Sequence, residues 1–187
     1  MEELEKRILR YLQTEPRYKH TISHLLESFG MTSSADFIRL NHVLEKMEQE
    51  YFIFRNARNE FLTQSQAKVI EGRLSVNRMG VGFVDIEDKD SYRIEAPDLA
   101  TAMNGDLVLI QALKILPFAK VIAIKERAKD TVVGTIFTKS KKVYLELDDE
   151  LLKERKVRLS YSKDFLPVDG LKVVGHITRY GDPLDVT

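Results

Sequence analysis

The residues of this sequence best suited to chemistry lie in the stretch Asn77-Arg78-Met79-Gly80-Val81-Gly82-Phe83-Val84, and the chemistry they suit is contact with a nucleic acid strand. Arg78 at the entry to a strand can meet a phosphate. Gly80 and Gly82 leave the backbone bare for a close approach, and Val81 and Phe83 alternate onto one face, where an aromatic ring can stack a base. The same residues also suit an ordinary barrel core, with Phe83 buried and the glycines easing a bend. A second group, Lys139, Lys141 and Lys142 ahead of Tyr144, sets three ammonium groups beside a ring, a pattern that suits a single strand. Lys153, Arg155, Lys156 and Arg158 form a further basic cluster. Asp148, Asp149, Glu150 and Glu154 interleave with these loops and can cancel much of their field.

Bond-breaking chemistry is poorly supplied. His20, His24, His42 and His176 lack metal-ligand spacing; His20 and His24 stand one helical turn apart and read as a surface pair without a third ligand. The absence of cysteine excludes disulfides, thiolate nucleophiles and Cys-ligated zinc or iron–sulfur centres. No phosphate-binding loop and no Gly-x-Ser-x-Gly is present. Asp182 and Asp185 are too isolated to form a metal-holding carboxylate cluster. The reading is a chain with no catalytic residues, no cofactor and no metal site of its own.

The elements that must position these groups change in character near residue 65. Before it the apolar spacing is helical: Leu4, Ile8, Leu9, Tyr11 and Leu12, ending near Pro16; then Ile22, Leu25, Leu26 and Phe29 between an N-cap at Thr21 and a stop at Gly30; then Phe37, Leu40, Val43, Leu44 and Met47 on a helix opening at Ser33 or Ser34. Two β-prone stretches, 51–55 and 60–63, flank the turn Asn56-Ala57-Arg58-Asn59. Three helices and a hairpin describe a winged helix. Its third helix would be the recognition helix, with Ser33, Ser34, Arg39, Asn41 and Lys46 as candidate contacts and Arg55 and Arg58 on the wing. Glu45, Glu48 and Glu50 make that helix acidic, so protein contact or weak RNA guiding competes with duplex binding.

After Lys68 short strands dominate: 69–85 around a glycine turn, 92–96, 107–113 and 118–125, with a helical turn at 97–103. A second block begins at Val132, with strands at 132–136, 143–147, 156–160 and 171–178. Ile70-Glu71-Gly72-Arg73-Leu74 and Val132-Val133-Gly134-Thr135-Ile136 open the two blocks alike. This is the grammar of two small OB barrels in tandem. Lys plus Arg equals Asp plus Glu at 29 each, so affinity for phosphate must come from local faces. The first ten residues carry alternating charge, unlike a signal peptide, and no apolar run reaches the ~20 residues of a membrane span.

The strand Asn77–Val84 resembles the first RNA-binding strand of cold-shock domains, and more closely that of the ribonuclease R family. Ala102-Met103-Asn104-Gly105-Asp106 is similar to that family's ending of its first barrel, and the stretch from Val173 to Pro183 resembles its passage from the second barrel towards the catalytic domain. The resemblance covers nearly the whole chain. It implies an α+β, multi-domain fold: a winged helix (1–66) followed by two small all-β cold-shock-like OB domains (67–128 and 129–187). It further implies an RNA-binding amino-terminal region of a magnesium-dependent hydrolytic 3'-5' exoribonuclease whose catalytic domain would begin after Thr187, the chain being a truncated piece. Single-stranded RNA is the implied partner, structured RNA or the ribosome are further candidates, and a cytoplasmic monomer is expected. The family usually carries an aromatic where Val81 stands. Its exposed aromatic in the next strand falls on Arg93, with Tyr92 and Ile94 pointing inward, so this face alone should bind weakly. The competing reading is a free-standing winged-helix regulator of nucleic acid with OB domains for assembly.

Overall fold

The computed structural model describes residues 2–15, 20–86 and 89–187, which divide into two compact units, Met1–Ile70 and Glu71–Thr187. In the first unit, α1 (Glu3–Thr14), α2 (Ile22–Ser28) and α3 (Ser34–Gln49) precede a two-stranded antiparallel sheet of β1 (Phe54–Arg55) and β2 (Phe61–Leu62). Local chemistry fixes the helix ends. The Thr21 hydroxyl accepts from the His24 amide, Ser33 and Asp36 form a reciprocal capping box, and Gly30 takes a left-handed φ of 66° after α2. Pro16, expected to stop α1, lies outside the described residues. Ile8, Leu12, Leu25, Leu40, Leu44, Met47 and Ile53 are fully buried together, with Phe61 closing the cluster.

Two expectations for this unit are corrected. Phe37 is 47% exposed rather than on the core face of α3, because the buried stripe of that helix runs through Leu40, Val43, Leu44 and Met47. His20 and His24 are not a surface pair: His20 precedes α2 and is 3% exposed, its ring edge-on to Tyr11. Its Nε2 lies 2.7 Å from the Glu15 carbonyl oxygen, which can only accept, so Nε2 carries the proton and Nδ1 is left buried without a partner.

The second unit holds two five-stranded sheets. The first is built from β3 (Val69–Val76), β4 (Gly82–Ile86), β5 (Lys89–Ile94), β6 (Leu107–Ala112) and β7 (Ala119–Glu126), with a short 3-10 turn at Ala96–Leu99. Its order is β5-β4-β3-β6-β7, and a parallel bridge from Arg93 to Phe118 joins β5 to the approach of β7. The second is built from β8 (Thr131–Lys139), β9 (Lys142–Leu147), β10 (Val157–Leu159), β11 (Lys172–Arg179) and β12 (Leu184–Val186), ordered β10-β12-β11-β8-β9. Here too the third strand lies parallel to the fifth, as β10 beside β12. The two sheets therefore share one cyclic order, consistent with OB folds. The closing strand β12 went unread in the sequence. It has three residues, and its role depends on a parallel partner far back along the chain.

The segment Ala102–Asp106 has a structural task at every position. Ala102 is buried, and Met103 sits in the core cluster of the second sheet beside Val132 and Leu152. The Asn104 side chain accepts from the Val76 amide at 2.8 Å, and Gly105, at φ 91°, passes so near Ala128 that a Cβ would meet it at 2.9 Å. Asp106 is 1% exposed and accepts three hydrogen bonds of 2.9 Å: from the Met103 amide, the Ala128 amide and Arg127 Nη1. Arg127 also donates to the Thr101 carbonyl and hydroxyl, and its guanidinium lies 3.7 Å over the Tyr180 ring, whose hydroxyl donates to the Lys129 carbonyl. Through Arg127 and Tyr180 this carboxylate thus ties the segment between β7 and β8 to the residue that follows β11.

Two tests follow from this packing. Replacing Asp106 by alanine leaves a mostly buried guanidinium and two amides without their acceptor, so Asp106→Ala is expected to cost the second unit about 3–5 kcal/mol; a thermal midpoint close to the parent's would refute the joint. Burial holds the His20 pKa below its ordinary value, against the opposing pull of the Glu15 carbonyl. Below about pH 6.5 the unfolded chain takes up a proton that the folded ring refuses. Stability of the first unit should therefore fall as pH drops below that value, and the fall should vanish in His20→Phe. Thermal unfolding between pH 7.5 and 5 reads it, and identical slopes for both proteins would count against the buried neutral ring.

Candidate nucleic-acid interface

On the first sheet the pairing settles which side chains share a face. Phe83 on β4 lies opposite Ser75 on β3 and Arg93 on β5, so the three form one row. Phe83 is half-buried and Arg93 exposed, while Val84 and Ile94 are fully buried. The outward row is the one the sequence registration expected, with Tyr92 half-buried. Arg93 is not a bare cation: its Nε donates to Glu95 at 2.6 Å.

Val81 does not share this face. It is 8% exposed and precedes the strand, because the Asn77 side chain gathers the turn by accepting from the Met79 and Val81 amides. Arg78 and Met79 are left exposed at the tip. The two glycines also have different tasks from the one expected. Gly80 supplies a left-handed φ of 77° in open space, but Gly82 faces the core, where a Cβ would come within 2.7 Å of Leu99 and 2.9 Å of Leu74. Gly82 is there for packing, not for the approach of a nucleotide.

On the second sheet Lys139 and Lys142 are directly opposite across the β8–β9 hairpin, and Ser140 and Lys141 form its two-residue tip with φ of 52° and 63°. All three lysines are exposed. Among the described residues no ion pair involves any of them, whereas Arg73, Lys125, Lys129 and Lys172 each hold a carboxylate. Tyr144, 40% exposed, lies opposite Phe137. Phe137 escaped sequence reading, although it stands two residues before Lys139 and three after Gly134, the position Ser75 holds after Gly72. The other basic cluster is partly neutralised. Lys153 pairs with Glu150, Arg158 with Asp185, and Arg155 donates to the Gly181 carbonyl.

In the first unit Arg55 is committed to structure. Its Nε donates to Glu48 on α3 at 3.0 Å, and its guanidinium stacks 4.8 Å from the Phe61 ring. Arg39 and Arg58 are exposed. Asn41 donates to Glu45, Lys46 pairs with buried Glu5, and Ser33 is occupied as a cap. The outer face of α3 is apolar at Phe37 and Ile38, which is 67% exposed. Among the described residues no group of three His, Asp or Glu side chains is placed to hold a metal ion, and no helix is long and apolar enough to cross a membrane.

Comparison with known proteins points one way. Residues 72–116 match the Ribonuclease B OB domain. The chain is 23% identical over 188 aligned residues to Ribonuclease R of Thermotoga maritima, an alignment covering 95% of this chain and 25% of that protein. Two solved structures share the fold, each covering 63% of this chain and 20% of theirs at 20% identity: Mycoplasma genitalium RNase R in complex with ribose methylated single-stranded RNA, TM-score 0.50, and its apo form, TM-score 0.51. The chain thus spans about a quarter of the length of the curated relative it matches. The resemblance to ribonuclease R read from the motifs is borne out.

The row on β4 makes a paired prediction. Phe83→Ala is expected to weaken binding of single-stranded RNA by about 1 kcal/mol, the lower end for one base–aromatic stack, and, because the ring is half-buried, to cost about 1 kcal/mol of stability. Val84→Ala removes two buried methyl groups and should cost about 2 kcal/mol of stability while leaving affinity unchanged for the folded protein. Melting curves and RNA titrations on both variants read the result; the opposite pattern would move the binding face to the other side of the strand.

Proposed function

We propose that this chain, akin to ribonuclease R over nearly its whole length, is the amino-terminal RNA-binding region of a ribonuclease R-like 3'-5' exoribonuclease. It comprises a winged helix (1–66) and two cold-shock-like OB domains (67–128 and 129–187), which guide single-stranded RNA to a catalytic domain carried elsewhere in the parent protein. The observation that carries this reading is the outward row Ser75–Phe83–Arg93 on a sheet matching the Ribonuclease B OB domain. The M. genitalium structure with bound single-stranded RNA supports the choice of ligand. Phe83 and Arg93 serve as ring and guanidinium on the first barrel, with Arg78 at its tip. Lys139, Lys141, Lys142 and Tyr144 serve on the second. Magnesium belongs to the catalytic domain of the parent, where it would activate water for hydrolysis. The protein acts as a cytoplasmic monomer.

The winged helix has a different partner. With Phe37 and Ile38 exposed on α3, and Arg55 held by Glu48, that face suits a protein or the ribosome better than a duplex groove. Arg39 and Arg58 are exposed cations of the same unit.

The test is a binding comparison at several salt concentrations. Single-stranded RNA should be preferred over duplex DNA of equal length. With Arg78, Lys139, Lys141 and Lys142 as the phosphate contacts, the log–log salt slope should be near −3, at about −0.7 per contact. The purified chain should release no mononucleotides with or without magnesium. Preference for duplex DNA would favour the free-standing regulator instead.

A further inference from the structure

The second barrel carries an aromatic seat that has no equal on the first. The two hairpins have one register: Leu74 opposes Val84 and Ser75 opposes Phe83 on the first, as Ile136 opposes Leu145 and Phe137 opposes Tyr144 on the second. Where the first barrel sets one ring against a serine, the second sets two rings in a stack, centroids 5.0 Å apart and 14° from parallel. Both remain about two-fifths exposed, at 39% and 40%. Two residues further along the same face, Lys139 and Lys142 oppose each other directly. Like charges in that relation destabilise a hairpin, and among the described residues no carboxylate pairs with either. An anion lying between them would relieve the repulsion. Behind the rings the face continues through Thr135, flanked by Glu146 on β9 and Lys172 on β11, to Val133 opposite Val174, 47% and 68% exposed, on β8 and β11.

We propose that Phe137 and Tyr144, with Lys139 and Lys142, form the principal nucleotide seat of this chain. This rests on the single-strand-binding reading above and adds where the affinity resides. A base stacks on the ring pair, and the phosphodiester beside it lies between the two ammonium groups. The first barrel is the weaker site, because its one outward ring has no aromatic neighbour among the described residues and its guanidinium is held by Glu95. An apolar patch of this size can also receive a protein. The opposed lysines favour a polyanion carrying flat apolar groups, which a single RNA strand is.

The chain has no tryptophan, so Phe137→Trp places a sole indole in the seat. Titration with an oligouridylate of about ten nucleotides, within the span of one or two OB sites, should quench its fluorescence saturably; a duplex of the same length should not. The double variant Phe137→Leu, Tyr144→Leu keeps apolar cover and should retain the parent's thermal midpoint while losing roughly thirtyfold in affinity, the loss of two base–aromatic stacks near the lower end of their range. Phe83→Leu should lose about fivefold. Lys139→Gln should raise the thermal midpoint and make the salt slope shallower. If the parent binds no single strand, the RNA reading itself fails. If the parent binds while the indole is not quenched and the leucine pair binds as tightly as the parent, the RNA reading survives and this seat is overturned. A Phe83→Leu loss equal to or greater than that of the pair likewise overturns it.

Discussion

The arrangement of the second unit depends on a single buried carboxylate. Asp106 ends the link after the 3-10 turn of the first barrel, and its two oxygens accept from the amides of Met103 and Ala128 and from Arg127. A charge taken out of water is tolerable only when its lone pairs are met, and here three donors meet them. The consequence spreads because Arg127 is itself spent on Thr101 and on the face of Tyr180. The 3-10 turn of the first sheet, the connection between the two sheets and the end of β11 in the second are tied by one connected polar network, in which no member can shift without stranding another.

Zero net charge coexists with a reading in favour of RNA because neutrality is reached locally. Cations on both sheets lie against carboxylates: Arg73 on Glu126, Lys125 on Glu71, Lys172 on Asp148, Arg179 on Asp185. Such pairs contribute little to stability at the surface, yet they offset much of the positive charge on the two sheets. What stays uncompensated then stands out against a quiet background, and the β8–β9 hairpin is the clearest such place. A field concentrated on one hairpin directs a ligand more sharply than a uniformly basic surface would.

Much of this was legible from residue types. The caps Thr21 and Ser33, the stop at Gly30, the two matching openings at Gly72 and Gly134, and the outward turn of Phe83 all follow from local rules that act within a few residues. Several of the misreadings concern groups whose surroundings are assembled from distant parts of the chain; Val81 is a local one. Gly82 looked like a nucleotide approach because Leu99, which it packs against, is remote in sequence. Val81 looked outward because alternation was extended past the end of a strand that starts at Gly82. His20 looked exposed because it reads as the first turn of α2, which it precedes, while the carbonyl that receives its proton and the Tyr11 ring beside it come from α1 and its end. The segment Ala102–Asp106 was recognised by kinship before its purpose was visible, since that purpose is a contact with residues 127 and 128.

The short strand β12 has a mechanical consequence. It runs parallel to β10 and antiparallel to β11, with hydrogen bonds on both edges. Tension applied along the chain at its carboxyl end would load those bonds side by side, in shear, instead of peeling them one after another. Three residues so placed resist pulling better than their length suggests, and a tug on the polypeptide there would be passed into the body of the barrel before the strand came away.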